Sequence, residues 1–445
     1  MKKKKRLPQI RVIIIGYLVM ILLGTALLML PFATKSGEGA SVLTATFTAT
    51  SASCVTGLVL QDTATYWSLF GQLVILTLIQ IGGLGFMTFA IVLLGAFNRR
   101  AGLRERTVMA ESINTTRIGG MRILTKHIIM GTAIFELSGA VLLSLRFIPR
   151  FGWLKGIYYS IFHSVSAFCN AGFDLMGGHT GKYSSFVGFA DDWLVNIVLI
   201  ALITIGGIGF LVWEDVLEHK HKLRKYRLHS KIVLLTSAIL LLGGAVLFWF
   251  FERDYTCKGL PVNEQILVSR FGSATARTAG FNTVDTAVMS EGGKLVTVIL
   301  MLIGGSSGST AGGVKTTSVV VIILTAIAAM RGRQAPHCLG RRFEDGALRK
   351  AVTVVFLNLS LGLLGTLIVT LDGFSLSDAM FEAFSAVGTV GITAGITRDL
   401  GLFTKLFLIF LMYSGRVGSI SFAAALFEKR SAPPVTFPQE EITIG

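Results

Sequence analysis

GIYYSIFHSVSAFCNAGF, residues 156–173, is apolar enough for a bilayer yet short for a full crossing, and it closes on a glycine set among small side chains. Three other stretches have the same build: SVLTATFTATSASCVTGL (41–58), NEQILVSRFGSATARTAGF (263–281) and LSDAMFEAFSAVGTVGIT (376–393). Crossing about 30 Å of hydrocarbon takes about 20 helical residues, so apolar segments this short fit half-spanning, re-entrant helices or buried ones. Their closing glycines, Gly57, Gly172, Gly280 and Gly391, are separated by 115, 108 and 111 residues, close to a quarter of the 445-residue chain. A pattern recurring at such a period is an internal fourfold repeat.

Longer apolar runs flank each of these segments. They lie near 12–31, 70–97, 123–146, 193–215, 230–251, 294–330, 350–371 and 402–427, which predicts eight spans. Composition agrees: 52% hydrophobic and 15% charged residues, with a mean hydropathy of +0.69, exceed the apolar share of a soluble domain. The net charge of +16 is spread over short basic clusters between the spans, not along one stripe or arm, which argues against nucleic acid. MKKKKR, Arg99 to Lys126, KHKLRKYRLHSK, Arg331 to Lys350 and EKR all fall on one side if both termini are cytoplasmic, as the positive-inside rule requires. The first apolar run is long and soon followed by another, so it reads as an uncleaved span and not as a signal peptide. Cys54, Cys169, Cys257 and Cys338 form no C-x-x-C pair, and neither a disulfide framework nor a metal site is expected.

Span, re-entrant helix, glycine turn and span, repeated four times, has a direct physical meaning. Irregular backbone is tolerated at membrane depth only where it is buried in protein or lines a water-filled cavity. One such glycine reads as a helix-packing residue; four at near-equal spacing read as a central pore. The expected filter is Cys54, Val55, Thr56 and Gly57; Cys169, Asn170, Ala171 and Gly172; Thr278, Ala279 and Gly280 behind Arg277; and Thr389, Val390 and Gly391. Their backbone carbonyls would replace the hydration shell of a monovalent cation. The short helices would aim their partly negative C-terminal ends at the same point.

The second spans also match one another, through QIGGLGF (80–86), TIGGIGF (204–210), LIGGSSGS (302–309) and YSGRVGS (413–419). In the first two copies the glycines read as packing residues more than hinges. The third is broken by IGGSSGSTAGGVKTT (303–317). Gly304, Gly305, Gly308, Gly312 and Gly313 together disfavour continuous helix by roughly 5 kcal/mol, at about 1 kcal/mol each. The fourth carries Arg416, a charge that an apolar span tolerates only towards an interior cavity. The expected gate is therefore Gly304, Gly305, Ser306, Ser307, Gly308, Ser309, Thr310, Gly312 and Gly313 together with Arg416. The loop hydroxyls would either satisfy loop backbone groups or hold a closed arrangement with Arg416.

SAFCNAGF, ARTAGFNT, GTVGIT, the four repeats and the broken span resemble the Trk/Ktr/HKT superfamily of potassium transporters, and among these the bacterial Ktr-type membrane subunit. The resemblance covers nearly the whole chain. It implies an all-α integral membrane protein of four pseudo-symmetric repeats around one pore: residues 1–98, 99–218, 219–330 and 331–430, with a tail at 431–445. It implies potassium uptake across the cell membrane, a homodimer docked on a cytosolic ring that binds ATP or ADP, and sodium as an activator, with no cofactor in this chain. Gly57, where plant relatives often have serine, implies a preference for potassium over sodium. The alternative is a proton- or sodium-coupled symporter.

Enzymatic readings fail on spacing. GSTAGGVKT places Val314 between Gly313 and Lys315, unlike a phosphate-binding loop, and GGSSG is not a nucleophile elbow. No G-x-G-x-x-G with a following acidic residue occurs, so nucleotide control would come from a partner. Arg277 is expected behind the filter, donating to turn carbonyls; His163 and Glu136 are expected to be packed, hydrogen-bonded structure.

Overall fold

The computed structural model describes residues 9–85, 107, 121–333, 336–344 and 346–418. The first group of elements is α1 (Gln9–Leu28), α2 (Val42–Ser53), the single turn α3 (Thr63–Tyr66) and α4 (Leu69–Leu84). The second is α5 (Met121–Phe151), α6 (Trp153–Phe168), α7 (Trp193–Ile208) and α8 (Phe210–His219). The third is α9 (Leu228–Glu252), α10 (Val262–Thr275), α11 (Glu291–Leu302) and α12 (Thr316–Met330). A two-residue hairpin, β1 (His337–Cys338) with β2 (Arg341–Arg342), leads to α13 (Ala347–Thr370), α14 (Leu376–Gly388) and α15 (Leu402–Val417). The protein is a predominantly helical membrane protein.

Helices α1, α5, α9 and α13 are long and apolar enough to cross a bilayer. Their outward faces carry exposed Leu23, Leu137, Val246 and Leu367, each more than 60% accessible, a distribution that suits lipid and would be costly in water. The short helices α2, α6, α10 and α14 are the reverse, with their C-terminal halves almost wholly buried. Side chains open two of them: Ser41 accepts from the Thr44 N–H and Ser375 from that of Asp378.

Each long helix packs on the short helix that follows it. Between groups, α4 meets α6, α7 meets α10, α11 meets α14, and α15 returns to α2, so the arrangement closes on itself. The second helix of every group thus leans on the short helix of the next.

The eight uninterrupted spans do not survive as such. α4 ends at Leu84 with Gly85 at φ 85°, α15 ends at Val417 with Gly418 at φ 92°, and α7 turns through 93° into α8 at Gly209, φ 97°. α11 stops at Leu302, short of the loop 303–315. Hydropathy counts apolar residues and is blind to φ; a glycine in the left-handed region ends a helix without altering the count. Residues 86–97 and 419–427 of the expected spans lie outside the described residues. The packing reading of the first two glycine pairs holds at Gly82 and Gly206, where a Cβ would collide with the Ser53 and Phe168 carbonyls. The break belongs to Gly85 and Gly209, three residues further on. All four cysteines are free.

Candidate functional site

The turns after α2, α6, α10 and α14 meet at one place. A Cβ placed on Gly57 would stand 2.7 Å from the Ala171 carbonyl oxygen and 3.3 Å from the Gly391 Cα. On Gly172 it would stand 2.9 Å from the Ala279 oxygen, on Gly280 2.7 Å from the Val390 oxygen, and on Gly391 it would overlap the Thr56 oxygen. Thr56, Ala171, Ala279 and Val390 thus each set a carbonyl against the glycine of an adjoining turn. Any side chain on these glycines would enter that ring.

Backbone conformation supports the arrangement. Val55, Asn170, Thr278 and Thr389, two residues before each glycine, have φ of 56°, 59°, 71° and 51°, and the glycines themselves 102°, 69°, 85° and 92°. A non-glycine residue held there costs about 1–3 kcal/mol and persists only where its surroundings impose it. Those surroundings are the N–H groups, which turn back to the short helices: Thr56, Ala171 and Val390 donate to the Ser51, Ser166 and Ser385 carbonyls at 2.8 Å. The Gly57 and Gly391 N–H groups donate to the Ser51 and Ser385 hydroxyls at 3.0 Å. Among the described residues no donor reaches the four ring carbonyls. Cys54 and Cys169 are buried caps of α2 and α6, and the Cys169 thiol points behind the ring to Gln80 Oε1 at 3.7 Å and Glu136 Oε1 at 3.9 Å.

The loop 303–315 packs against the inner side of the ring, the side towards which α4, α7 and α11 run. Thr310 donates its hydroxyl to the Phe168 carbonyl at 3.3 Å, and a Cβ on Gly312 would overlap the Thr389 hydroxyl. Ser306 and Thr310 donate their N–H groups to the Gly207 and Gly206 carbonyls at 3.0 and 3.3 Å, and the Gly308 carbonyl accepts from the Phe210 N–H at 2.7 Å. The loop therefore fills the gap opened by the α7–α8 bend. Several of its backbone groups thus find partners in protein, as membrane depth demands.

Arg416 stands where the aligned motifs have Gly83, Gly207 and Gly305. Its guanidinium donates to the carbonyls of Thr310, Gly82 and Gly83 and lies 3.4 Å from the Tyr17 hydroxyl, which itself donates to the Gly82 carbonyl at 3.3 Å. One side chain of the last group so ties the loop of the third to α1 and α4 of the first. Among the described residues no loop hydroxyl binds Arg416: Ser309 donates to the Ser306 carbonyl at 2.7 Å, and the Ser306 and Thr316 hydroxyls bond to each other at 3.2 Å. Ser307 meets Gly209 through its carbonyl oxygen.

Sequence reasoning missed four participants. Lys315 donates to the Ala311 and Gly312 carbonyls at 2.7 and 3.3 Å and so places a second cation in the loop; Tyr17 positions Arg416; Ser51 and Ser385 brace the turns. The serines were visible as a hydroxyl six residues before Gly57 and Gly391, whereas nothing local marks Tyr17. Arg277 lies behind the turn but donates to Ser237 of α9, to its hydroxyl at 3.2 Å and its carbonyl at 3.5 Å, and not to turn carbonyls. Its side chain is long enough to reach past the turn to the outer helix. His163 is fully buried, with Nδ1 2.7 Å from the Tyr159 carbonyl and Nε2 accepting from the Leu175 N–H at 3.0 Å, and Glu136 accepts from Gln80 at 3.2 Å.

Four converging re-entrant turns inside a ring of lipid-facing helices define a membrane transport protein, not an enzyme. The chain belongs to the TrkH family of cation transport proteins, whose description matches residues 9–431. It is 41% identical to the potassium/sodium uptake protein NtpJ of Enterococcus hirae over 100% of this chain and 99% of the relative. It is 38% identical to the Ktr system potassium uptake protein B of Bacillus subtilis over 98% of this chain and 96% of the relative. The fold is that of the crystallised potassium transporter TrkH from Vibrio parahaemolyticus, with a TM-score of 0.72 at 17% identity, covering 96% of this chain and 86% of that one.

Proposed function

We propose that this chain is the pore-forming subunit of a Ktr-type potassium uptake system in the cell membrane, with both termini cytoplasmic. The observation that carries the reading is the ring of Thr56, Ala171, Ala279 and Val390 carbonyls set against Gly57, Gly172, Gly280 and Gly391. Potassium sheds water on entry and is solvated by these oxygens, which the left-handed turns keep free of other donors. The inner exit is closed by the loop 303–315, anchored through its Thr310 carbonyl to Arg416. The protein acts as a homodimer on a cytosolic ring that binds ATP or ADP; the ring pulls on α12 from Thr316, draws the loop aside and opens the path, and sodium activates. Support for a partner comes from the Ktr system relatives and from the chain's own lack of a nucleotide-binding motif.

Cation flux in proteoliposomes holding the chain with and without its cytosolic partner, under separate potassium, sodium and proton gradients, tests this. Flux that follows the potassium gradient and voltage, and needs the partner, is expected. Flux that collapses with a sodium or proton gradient would instead make the protein a coupled symporter, a reading favoured by its likeness to a potassium/sodium uptake protein.

A further inference from the structure

Beyond the ring, the outer segment of the second group reaches the post-ring segments of the other three. The Tyr183 N–H donates to Asp62 Oδ1 at 3.2 Å and its hydroxyl to the Leu60 carbonyl at 3.4 Å, both in the first group. The Phe186 N–H donates to the Asn282 carbonyl at 2.9 Å, and Ser185 accepts from the Asn282 N–H at 3.3 Å, in the third. The guanidinium of Arg398, from the fourth, lies 4.0 Å from the centre of the Tyr183 ring. Leu60, Asn282 and Arg398 follow their ring glycines by only three, two and seven residues. Four consecutive residues, Tyr183 to Phe186, therefore gather all four groups just outside the ring.

The composition of this collar is unexpected for a cation entrance. Its exposed charged member, Arg398, is positive; it donates to the Gly395 carbonyl at 3.2 Å and has no carboxylate partner among the described residues. Asp62, beneath it, is buried and already accepts from Thr65, through N–H and hydroxyl at 2.8 and 2.7 Å, and from Tyr183. The stacked ring holds the guanidinium in place, since an aromatic face attracts a cation at this distance.

We propose that Arg398, seated on Tyr183, is the outer determinant of cation entry: a fixed positive charge at the collar that limits how readily external cations reach the ring. This rests on the ring being the ion path. A unit charge near the path in watery surroundings changes entry on the order of threefold, and salt screens it with a Debye length of about 10 Å at 0.1 M. Such a charge lowers uptake at low external ionic strength and matters little at high.

The test uses intact cells expressing the full chain with its partner and lacking other potassium uptake, so that only outward-facing groups meet the medium. Initial rubidium uptake at low rubidium is measured as choline chloride is raised. R398Q should take up rubidium on the order of threefold faster at low ionic strength, converging with the parent at high, while R398K follows the parent throughout. Equal changes in R398Q and R398K at every ionic strength would show a mere structural latch, and no change in R398Q would remove the charge from entry; either overturns the proposal. Should R398Q assemble poorly, R398C is labelled after assembly with impermeant thiosulfonates, Cys54, Cys169 and Cys257 being buried. A cationic label should slow uptake and an anionic one speed it; identical effects of the two overturn the proposal. G57S separates the two readings: unchanged potassium over sodium preference there would sink the ion path itself, independently of the Arg398 result.

Discussion

The ring of glycine turns and the belt of second helices just inside it are made by the same four groups of elements, yet one is uniform and the other is not. In the ring, each group supplies a residue with φ between 51° and 71°, then a carbonyl, then a left-handed glycine. In the belt, three groups keep a glycine pair, at Gly82 with Gly83, Gly206 with Gly207 and Gly304 with Gly305, but the third follows its pair with a loop, and the fourth has Arg416 in place of the second glycine. A site that must surround a spherical ion gains from equal oxygens on every side. Opening a path needs only one movable obstacle and one anchor, so a single departure in each of two neighbouring groups is enough. On the proposed function, uniformity marks selection and asymmetry marks control.

That contrast predicts which changes alter flux and which alter preference. Removing residues 305–312 deletes the obstacle and leaves the ring, and should give an assembled protein whose potassium flux, without the partner, exceeds the parent's on the order of tenfold or more. Low, partner-dependent flux in this deletion, measured in proteoliposomes, would refute the loop as gate. Gly57→Ser adds a side chain 2.7 Å from the Ala171 oxygen at a left-handed position. It should cut potassium over sodium preference by roughly tenfold, equivalent to about 1.4 kcal/mol. Gly243→Ala, on the outer face of α9 with nothing within 4 Å of the added methyl, should leave preference unchanged, and equal losses at the two sites would erase the distinction between ring and scaffold. Gly82 is a poor control because its carbonyl binds Arg416.

Smaller effects separate the anchor from the loop. Arg416→Ala frees the Thr310 carbonyl and should raise partner-free flux several-fold, on the order of 1 kcal/mol of lost closure. Arg416→Lys should fall between, since an ammonium lacks the planar fork that reaches several carbonyls at once. Folded Arg416→Ala with unaltered flux at every potassium concentration would exclude the anchor. Thr310→Val removes only the hydroxyl that donates to Phe168 and keeps the carbonyl held by Arg416, so flux should change less than about twofold. A change as large as that of Arg416→Ala would shift the anchoring to the hydroxyl.

Much of this was legible in the chain. The half-length apolar segments, the near-equal spacing of Gly57, Gly172, Gly280 and Gly391 and the glycine-rich break at 303–317 are local patterns, and each rests on physics that acts within a few residues: span length, φ freedom and helix propensity. Arg416 stood out because a charge in an apolar run is costly. The ends of α4 and α15 and the bend at Gly209 did not, because an apolar glycine scores as part of a span whichever way its backbone turns.

The sequence by itself determined a predominantly helical membrane protein and pointed to four short apolar segments that end in glycine turns. Those properties follow from composition and periodicity, which do not depend on what packs against what. Only the tertiary structure decided that the Thr56, Ala171, Ala279 and Val390 oxygens stand against one another's glycines, that Arg416 holds the Thr310 carbonyl in preference to the hydroxyls, that Arg277 reaches back to Ser237, and that Arg398 settles on Tyr183. Each of these joins groups between 40 and 335 residues apart in the chain, Arg277 to Ser237 being the nearest and Gly391 to Thr56 the farthest. A hydrogen bond or a ring contact is set by distances of a few ångströms in space, and no pattern along the backbone encodes which distant group will arrive there.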